Sequence, residues 1–381
     1  MNNLALPVDS FGIGFAATLV CSLLLVWTKR WHGRYSLDAT HGVQKFHITP
    51  TPRIGGAAIF AGLWLALALL PEPQQELLFP VLVAGLPAFS FGLVEDLTRN
   101  VSVRARLLAT MASGVLCWWL TDASLRHIGV GPLDALLAWV PFSVLFTAFA
   151  VGGVANALNI IDGFNGLASG SLMISMGALG LIALGCGDAH LAQLCFLICA
   201  VTFGFFLVNF PFGKLFLGDG GAYLLGFLLA WISVMLVSRN PNVSVWAPFL
   251  ACGYPVFETL FTIARRLWHR HHPGLPDSRH LHSLIKVNIS ARYFAAWPAP
   301  LRNAAVSPFA WVVALVPAAC GVIFFELPTF LACAGIASFS LYCAGYTWVA
   351  SLGRHGRHVQ LGAVEPKEEL DFEPASRRAA G

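Results

Sequence analysis

The residues with the clearest capacity for chemistry lie between two apolar segments near the middle of the chain. Residues 156–168 read NALNIIDGFNGLA, which places the amides of Asn156, Asn159 and Asn165 around the carboxylate of Asp162. The intervening glycines let the backbone turn tightly and approach a ligand closely. This pattern predicts a polar chemical site at the edge of a membrane.

Acidic side chains mark two further places at the edges of apolar runs. Glu95 and Asp96 are adjacent at the end of the third run, and Asp219 is followed by two glycines. A carboxylate at the centre of a membrane helix costs on the order of 3 kcal/mol, so acids in such a chain lie at helix ends or are retained for a purpose. A solvated helix end is the plain alternative for Glu95 and Asp96 alone. Three acidic places on one face favour a shared site.

These oxygen ligands are typical of a magnesium site. Mg²⁺ prefers a few carboxylate or carbonyl oxygens together with substrate phosphates, whereas Zn²⁺ needs cysteine and histidine at close spacing. His269, His271 and His272 could suggest zinc, but the neighbouring arginines favour a basic loop that faces the membrane surface. We therefore expect Mg²⁺, with Mn²⁺ as the second candidate.

Cationic side chains supply the partners for phosphate groups. Lys45 and Arg53 precede the second apolar run. They either reflect the general excess of positive residues in cytoplasmic loops, or they bind a phosphate at the level of the lipid headgroups. Arg279, His280 and His282 share one loop and would form a clamp for a diphosphate. Taken alone, this loop is explained nearly as well as an ordinary surface loop.

The elements that must position these residues are membrane-spanning helices. Hydrophobic residues make up 57% of the chain, charged residues 11%, and the mean hydropathy is +0.71. Because a span needs about 20 apolar residues, the chain is predicted to be an all-α polytopic membrane protein with about eleven transmembrane helices. The predicted spans are 11–28, 54–70, 78–94, 105–121, 134–152, 166–186, 190–210, 220–237, 244–263, 308–325 and 328–350.

Basic residues orient this bundle. With the N-terminus outside, the inner loops and the C-terminal tail hold 21 of the 23 Lys and Arg residues, and only Arg126 and Arg239 fall outside. If one predicted span were removed, every later loop would change sides of the membrane and this bias of Lys and Arg would be lost. The bias therefore predicts an N-out, C-in topology. The first ten residues carry no positive charge, which argues against a cleaved signal peptide. The candidate site residues then lie on the cytoplasmic face.

The domain organisation is simple. Residues 1–352 are predicted to form a single integral-membrane domain, and residues 353–381, rich in charge and poor in aromatic residues, a disordered cytoplasmic tail. All nine cysteines lie in or beside apolar runs without a C-x-x-C pair, which indicates small buried hydrophobic residues. No soluble domain or internal repeat is visible, and we expect no nucleic-acid partner.

Five sequence blocks follow one another between residues 38 and 283: PTPRIGG, G-x-x-E-D, NALNIIDGFNGLA, KLFLGDGG and PDSRHLH. In this order they resemble the polyprenyl-phosphate N-acetylhexosamine-1-phosphate transferase family, which includes the undecaprenyl-phosphate GlcNAc-1-phosphate transferases. The resemblance implies transfer of a sugar 1-phosphate from a UDP-N-acetylhexosamine to undecaprenyl phosphate, with release of UMP. It also implies a need for Mg²⁺ and an active site on the cytoplasmic face of the bacterial inner membrane.

The resemblance further implies roles for individual residues. Asp219 looks like the family's Mg²⁺ ligand, with Asn159 as a second ligand. Asp96 and Asp162 match catalytic aspartates, and Glu95 completes the acidic pair. Lys45 matches a lysine that contacts phosphate. The remaining substrate-binding positions are Asn156, Asn165, Asn209, Arg279, His280 and His282.

Three positions depart from the family pattern. Glu95 stands where an aspartate is common, Asn165 replaces the second aspartate of D-G-x-D-G, and Ser283 replaces the last histidine of H-x-H-H.

The transfer reaction that the resemblance implies mainly requires the protein to neutralise charge and to align the reacting phosphate groups. Direct attack of the lipid phosphate on the sugar-linked phosphorus is therefore favoured over a covalent aspartyl intermediate.

Two alternatives stay open at this point. A phospho-N-acetylmuramoyl-pentapeptide transferase usually carries more histidines than HLHS, so UDP-GlcNAc is the favoured donor, for the first sugar of an O-antigen, a capsule or a related glycan. A secondary transporter would place ionisable residues at mid-bilayer, yet only Glu258 lies well inside a predicted span. The sequence does not fix the oligomeric state, and a homodimer stays open.

Overall fold

Apolar runs form helices because a backbone in lipid must satisfy its hydrogen bonds internally. The computed structural model describes residues 8–38, 50–270 and 277–360. Its helices are α1 (Val8–Trp27), α2 (Lys29–Ser36), α3 (Gly55–Leu67), α4 (Glu72–Ala84), α5 (Leu86–Thr98), α6 (Val103–Thr121), α7 (Gly131–Leu137), α8 (Val140–Ile160), α9 (Leu167–Gly185), α10 (Ala189–Asn209), α11 (Gly218–Arg239), α12 (Trp246–Ala251), α13 (Gly253–Trp268), α14 (Leu281–Ile285), α15 (Ala291–Tyr293), α16 (Ala299–Ala304), α17 (Ser307–Ile323) and α18 (Pro328–Gln360). A π-helical turn, Lys286–Ser290, joins α14 to α15.

Seven helices in the described ranges are long and apolar enough to cross a membrane, or eight if α4 and α5, bent by 46°, count as one span. The predicted all-α, multi-pass fold is confirmed, whereas the count of about eleven spans is not. The other predicted spans form helices that fall short for local reasons: α3 has 13 residues, α6 carries two arginines in its first turn, and the span predicted at 244–263 is divided between α12 and α13 at Cys252.

The centre of the bundle is α11, which packs against α3, α5, α8 and α9. Glycines allow this close approach: a Cβ atom on Gly56 of α3 would lie 2.2 Å from the backbone nitrogen of Gly221. A Cβ on Gly92 of α5 would lie 2.6 Å from the carbonyl carbon of Asp219. Small residues at helix contacts are typical of membrane bundles. They bring α3 and α5 against the first turn of α11, where Asp219 lies.

The ends of several helices converge on that turn. The short antiparallel strands β1 (Leu37–Asp38) and β2 (Thr51–Pro52) pair Leu37 with Pro52 and Asp38 with Thr51, and they lead directly into α3. The C-terminal ends of α5 and α8 and the start of α11 lie at the same end of the bundle as this pair.

The C-terminal part of the chain is helical further than predicted. The tail is predicted to begin at residue 353, but α18 continues to Gln360. Residues 361–381 lie outside the described part of the chain.

Candidate active site

Arg53 lies at the centre of a cluster of carboxylates. It follows β2, and its backbone N–H donates to the carbonyl of Ser36 at 2.9 Å. Its guanidinium Nε donates to Asp96 at 3.0 Å, while the other two nitrogens lie 3.6 Å from Asp219 and 3.7 Å from Asp38. One cation thus holds three acidic side chains from three separate elements.

Asp96 fixes the start of α11. Its side chain is only 1% exposed, and its two oxygens accept the backbone N–H groups of Asp219 at 2.8 Å and Gly220 at 2.9 Å. A carboxylate at a helix N-terminus satisfies free amides and interacts favourably with the helix dipole. Gly218, at φ +75°, makes the turn, and a Cβ there would lie 2.0 Å from the carbonyl oxygen of Arg53. In this arrangement Asp96 positions Asp219.

Glu95 does not join Asp96 in the cluster. Its carboxylate accepts the backbone N–H of Val101 at 2.7 Å, in the turn that follows α5. Adjacent residues on a helix point about 100° apart, so Asp96 faces α11 and Glu95 faces the turn. The expectation that the two carboxylates work as a close pair therefore differs from the observed geometry.

Asp219 and Asn159, the expected metal ligands, are neighbours. The amide nitrogen of Asn159 donates to one carboxylate oxygen of Asp219 at 3.1 Å, and the guanidinium of Arg106 contacts the other oxygen. The side chain of Asp219 is 15% exposed. No group of three or more His, Cys, Asp or Glu side chains within residues 8–38, 50–270 and 277–360 forms a complete metal site. Two oxygen ligands completed by water and phosphate suit Mg²⁺, so the donor set fits this ion.

Asp162 lies in the loop between α8 and α9 and reaches the same cluster. Its carboxylate lies near the backbone of Gly218 and the guanidinium of Arg53. Burial raises the pKa of Asp162 to about 7, although the Arg53 guanidinium opposes the shift. Asp162, Asp219 and Asn159 therefore surround one small polar region beside Arg53, and the structure brings together these three predicted residues.

Arg106 is a site residue that sequence reasoning missed. It lies in the first turn of α6, its guanidinium carbon is 5.7 Å from the centre of the Tyr223 ring, and the Tyr223 hydroxyl donates to Asn156 at 3.3 Å. These contacts link the predicted residue Asn156 to Asp219 through two unpredicted side chains. The available signal was an arginine just inside an apolar helix, which was counted only toward the orientation of the bundle.

Asn165 and Asn209 hold the backbone of neighbouring loops. The Asn165 amide donates to the carbonyl of Pro211 at 2.9 Å. The Asn209 amide accepts the N–H of Gly166 at 2.6 Å and donates to the carbonyl of Leu215 at 2.8 Å. Both side chains are buried. Their predicted contact with the nucleotide stays a prediction, while these bonds give them a role in shaping the site.

The histidine loop meets the loop that carries Asp162. His282 is buried, its Nδ1 lies 3.2 Å from the Tyr254 hydroxyl, and its ring makes an edge contact with Phe164 at 5.6 Å between centroids. Its Nε2 would be 3.7 Å from a Cβ atom placed on Gly163. Arg279, in the same loop, is exposed. The predicted His280–His282 segment is thus brought to the central loop.

Glu258 anchors the histidine loop within the bundle. It is fully buried, and its carboxylate accepts from Nδ1 of His280 at 3.0 Å, the N–H of Leu281 at 3.1 Å and the Tyr342 hydroxyl at 2.9 Å. A carboxylate with these partners has a structural reason to lie inside α13. Lys45, the other predicted phosphate contact, lies outside the described residues.

An apolar cavity of about 370 Å³ lies beside α8. Val151 and Val154 of α8 line it together with residues of α11, α12 and α13. Val154 precedes Asn159 by five residues, which corresponds to about 7.5 Å along a helix. The cavity therefore runs alongside α8, the helix whose C-terminal end carries Asn159 of the polar site.

Helices of membrane length gather carboxylates, two arginines and a histidine loop at one end, an arrangement typical of membrane proteins that bind phosphate groups. Residues 78–237 match the family model described as glycosyl transferase family 4. The chain belongs to this family of membrane transferases.

Individual relatives carry specific names. The undecaprenyl-phosphate alpha-N-acetylglucosaminyl 1-phosphate transferase of Yersinia pestis is 30% identical over 253 residues, which cover 64% of this chain and 67% of that protein. A probable undecaprenyl-phosphate N-acetylglucosaminyl 1-phosphate transferase of Bacillus subtilis (strain 168) is 27% identical over 63% of this chain and 66% of its own length. The Escherichia coli (strain K12) transferase is 26% identical over 75% of this chain and 77% of its own length.

Proposed function

We propose that this protein transfers GlcNAc 1-phosphate from UDP-GlcNAc to undecaprenyl phosphate and releases UMP. The observation that carries the proposal is the contact of Asp219 with both Asn159 and Arg106, beside Arg53 and Asp162. This arrangement offers oxygen ligands for a divalent cation and guanidinium groups for phosphate within one small region. The names of the relatives supply the acceptor and the sugar.

The chain's own residues would align two phosphate-bearing substrates. An oxygen of the lipid phosphate attacks the sugar-linked phosphorus, and the bond from that phosphorus to the UMP oxygen breaks. Arg53 and Arg106 would bind phosphate oxygens, and Asp96 holds the start of α11 so that Asp219 faces them. Mg²⁺, when bound to Asp219 and Asn159, would neutralise negative charge on the diphosphate. Catalysis then depends on alignment and charge more than on a covalent intermediate.

The apolar cavity supports a place for the acceptor's prenyl chain. Its lining is almost entirely hydrocarbon, and α8 leads from it to Asn159. A lipid phosphate at the end of α8 would lie in the polar site, and its prenyl chain would lie in the apolar cavity.

The cellular setting is proposed from the basic residues and the chemistry. The site would lie on the cytoplasmic face of the bacterial inner membrane, where UDP-sugars are available, in a bundle of N-out, C-in topology over residues 1–352. The product would be the first lipid-linked sugar of an O-antigen, a capsule or another envelope glycan.

The alternatives now have less support. The names of the relatives favour GlcNAc over a muramoyl-pentapeptide donor. Glu258, the one ionisable residue well inside a predicted span, is hydrogen-bonded to the histidine loop and to the Tyr342 hydroxyl, which is a structural role.

The test is release of UMP by purified protein in nanodiscs supplied with undecaprenyl phosphate, Mg²⁺ and a panel of UDP-sugars. Asp219→Asn should abolish release, and Asp122→Asn should not, because Asp122 lies at the other end of α6 in a left-handed conformation that asparagine tolerates. Release that needs both the lipid and UDP-GlcNAc supports the proposal. No release from any UDP-sugar by folded wild-type protein would refute it.

A further inference from the structure

The loop that carries Asp162 is held from its far side by one face of the α16–α17 segment. Asn303, Ser307 and Trp311 are spaced four residues apart, so they lie on the same face of a helix. Residues Ala299–Ile323 qualify together as one candidate span, and Asn303 and Ser307 are buried within it. We call these three residues the supporting face.

Each residue of the supporting face bonds the loop backbone. Asn303 Oδ1 accepts the N–H of Asn165 at 2.9 Å, and the Ser307 hydroxyl donates to the carbonyl of Asn165 at 2.6 Å. Trp311 Nε1 donates to the carbonyl of Gly166 at 3.2 Å. Together with Asn209, which accepts the N–H of Gly166, these side chains bond every backbone polar group of Asn165 and Gly166.

The indole ring of Trp311 is held by packing contacts as well as by its hydrogen bond. A Cβ atom on Gly170 would lie 2.3 Å from Trp311 Nε1, so the indole rests directly on the first turns of α9. The ring centroid also lies 5.3 Å from that of Phe210. These contacts limit how far the indole, and therefore the carbonyl it bonds, can move.

The opposite side of the same loop forms the reactive region. Asp162 lies near the backbone of Gly218, next to Asp219, and the ring of Phe164 contacts the ring of His282. A shift of the loop would therefore displace Asp162 and the histidine contact together.

We propose that Asn303, Ser307 and Trp311 are positioning residues that fix the Asp162 loop against Gly218 and His282. This inference rests on the proposed function for its catalytic consequence. The residues touch no reacting group themselves. They set where the catalytic loop lies, and a displacement of about 1 Å in such a loop is enough to cost about 100-fold in rate.

The test is the double variant Ser307→Ala/Trp311→Phe, which removes two donors and keeps the aromatic ring. Its matched control is Ser340→Ala/Trp348→Phe, because the Ser340 hydroxyl bonds a carbonyl within exposed α18 and Trp348 is 61% exposed. In nanodiscs, we expect kcat to fall about 10- to 100-fold with the KM for UDP-GlcNAc changed less than about twofold. Hydrogen exchange at residues 161–166 should become about tenfold faster or more.

The control should match the wild type in all three measurements. The proposal is overturned if exchange in residues 161–166 does not change, if exchange accelerates while kcat is retained, or if both double variants lose kcat equally. Trp311→Phe alone repeats the measurement if the double variant does not fold. A wild type that releases no UMP would refute the proposed function, whereas the exchange measurement would still decide whether the supporting face holds the loop.

Discussion

Arg106 and Asp219 are in direct contact although 113 positions separate them in the chain. Each lies in the first turn of its helix, and α6 and α11 come together there. The Asp219 carboxylate is thus shared between Arg106 and the Asn159 amide, with Arg53 at 3.6 Å. When an anionic substrate binds, it can attract the Arg106 guanidinium away from Asp219. The carboxylate of Asp219 is then free to bind a metal cation.

Replacing Arg106 should therefore impair turnover more than folding. We expect Arg106→Ala to lower kcat about 100- to 1000-fold, because a preorganised charge at the reacting phosphates is lost. Arg106→Lys should recover part of this loss, since lysine keeps the charge without the planar fork. UMP release measures both. Arg104→Ala is the control in the same helical turn, where the side chain is exposed, and a loss equal to that of Arg106→Ala would contradict the assignment.

The pH dependence of stability should report the burial of His282. Burial lowers the pKa of His282 to about 4, with the Glu258 and Asp277 carboxylates opposing the shift. An unfolded histidine titrates near pH 6.5, so between about pH 6.5 and 4 the unfolded chain binds a proton that the native protein does not. Stability is therefore full above about pH 6.5 and falls as the pH drops toward 4, by about 3 kcal/mol at most.

Thermal unfolding in detergent at pH 7.5 and pH 5 measures this loss. His282→Gln should reduce the difference in Tm between the two pH values, because glutamine does not titrate. His127→Gln should keep the wild-type difference, since His127 is 75% exposed. An unchanged difference in His282→Gln would show that other groups cause the acid sensitivity.

Much of the fold follows from the sequence, because long apolar runs can only become helices in lipid. The participation of Asp219, Asn159 and Asp162 in one region also followed from their position at the ends of such runs. Three things required the structure. The direction of Glu95 depends on helix rotation, the burial of Asn165 and Asn209 depends on loop packing, and the contact of Arg106 is long-range. None of these has a local pattern in the chain.

Close packing of α3 on α11 should make Gly56 intolerant of a side chain. A Cβ atom would lie 2.2 Å from the backbone nitrogen of Gly221, and backbone cannot yield as a flexible side chain does. We expect Gly56→Ala to lower Tm by several degrees and to reduce activity, because the start of α11 must move. Gly345→Ala on α18, where a Cβ atom would meet no neighbouring side chain or helix within 4 Å, should leave the Tm unchanged or higher. Equal effects of both substitutions would refute the packing argument.

Filling the apolar cavity should distinguish long acceptors from short ones. Ala150 of α8 lines the cavity, so Ala150→Trp would occupy space that we propose for the prenyl chain. We expect the KM for undecaprenyl phosphate to rise about tenfold, equivalent to about 1.4 kcal/mol, with no change for UDP-GlcNAc or for farnesyl phosphate as a short acceptor. Ala337→Trp on exposed α18 adds the same bulk away from the cavity and should leave all three values unchanged. A short prenyl chain does not need the full length of the cavity. An equal rise in KM for undecaprenyl phosphate and farnesyl phosphate would therefore show that the prenyl chain does not lie in this cavity.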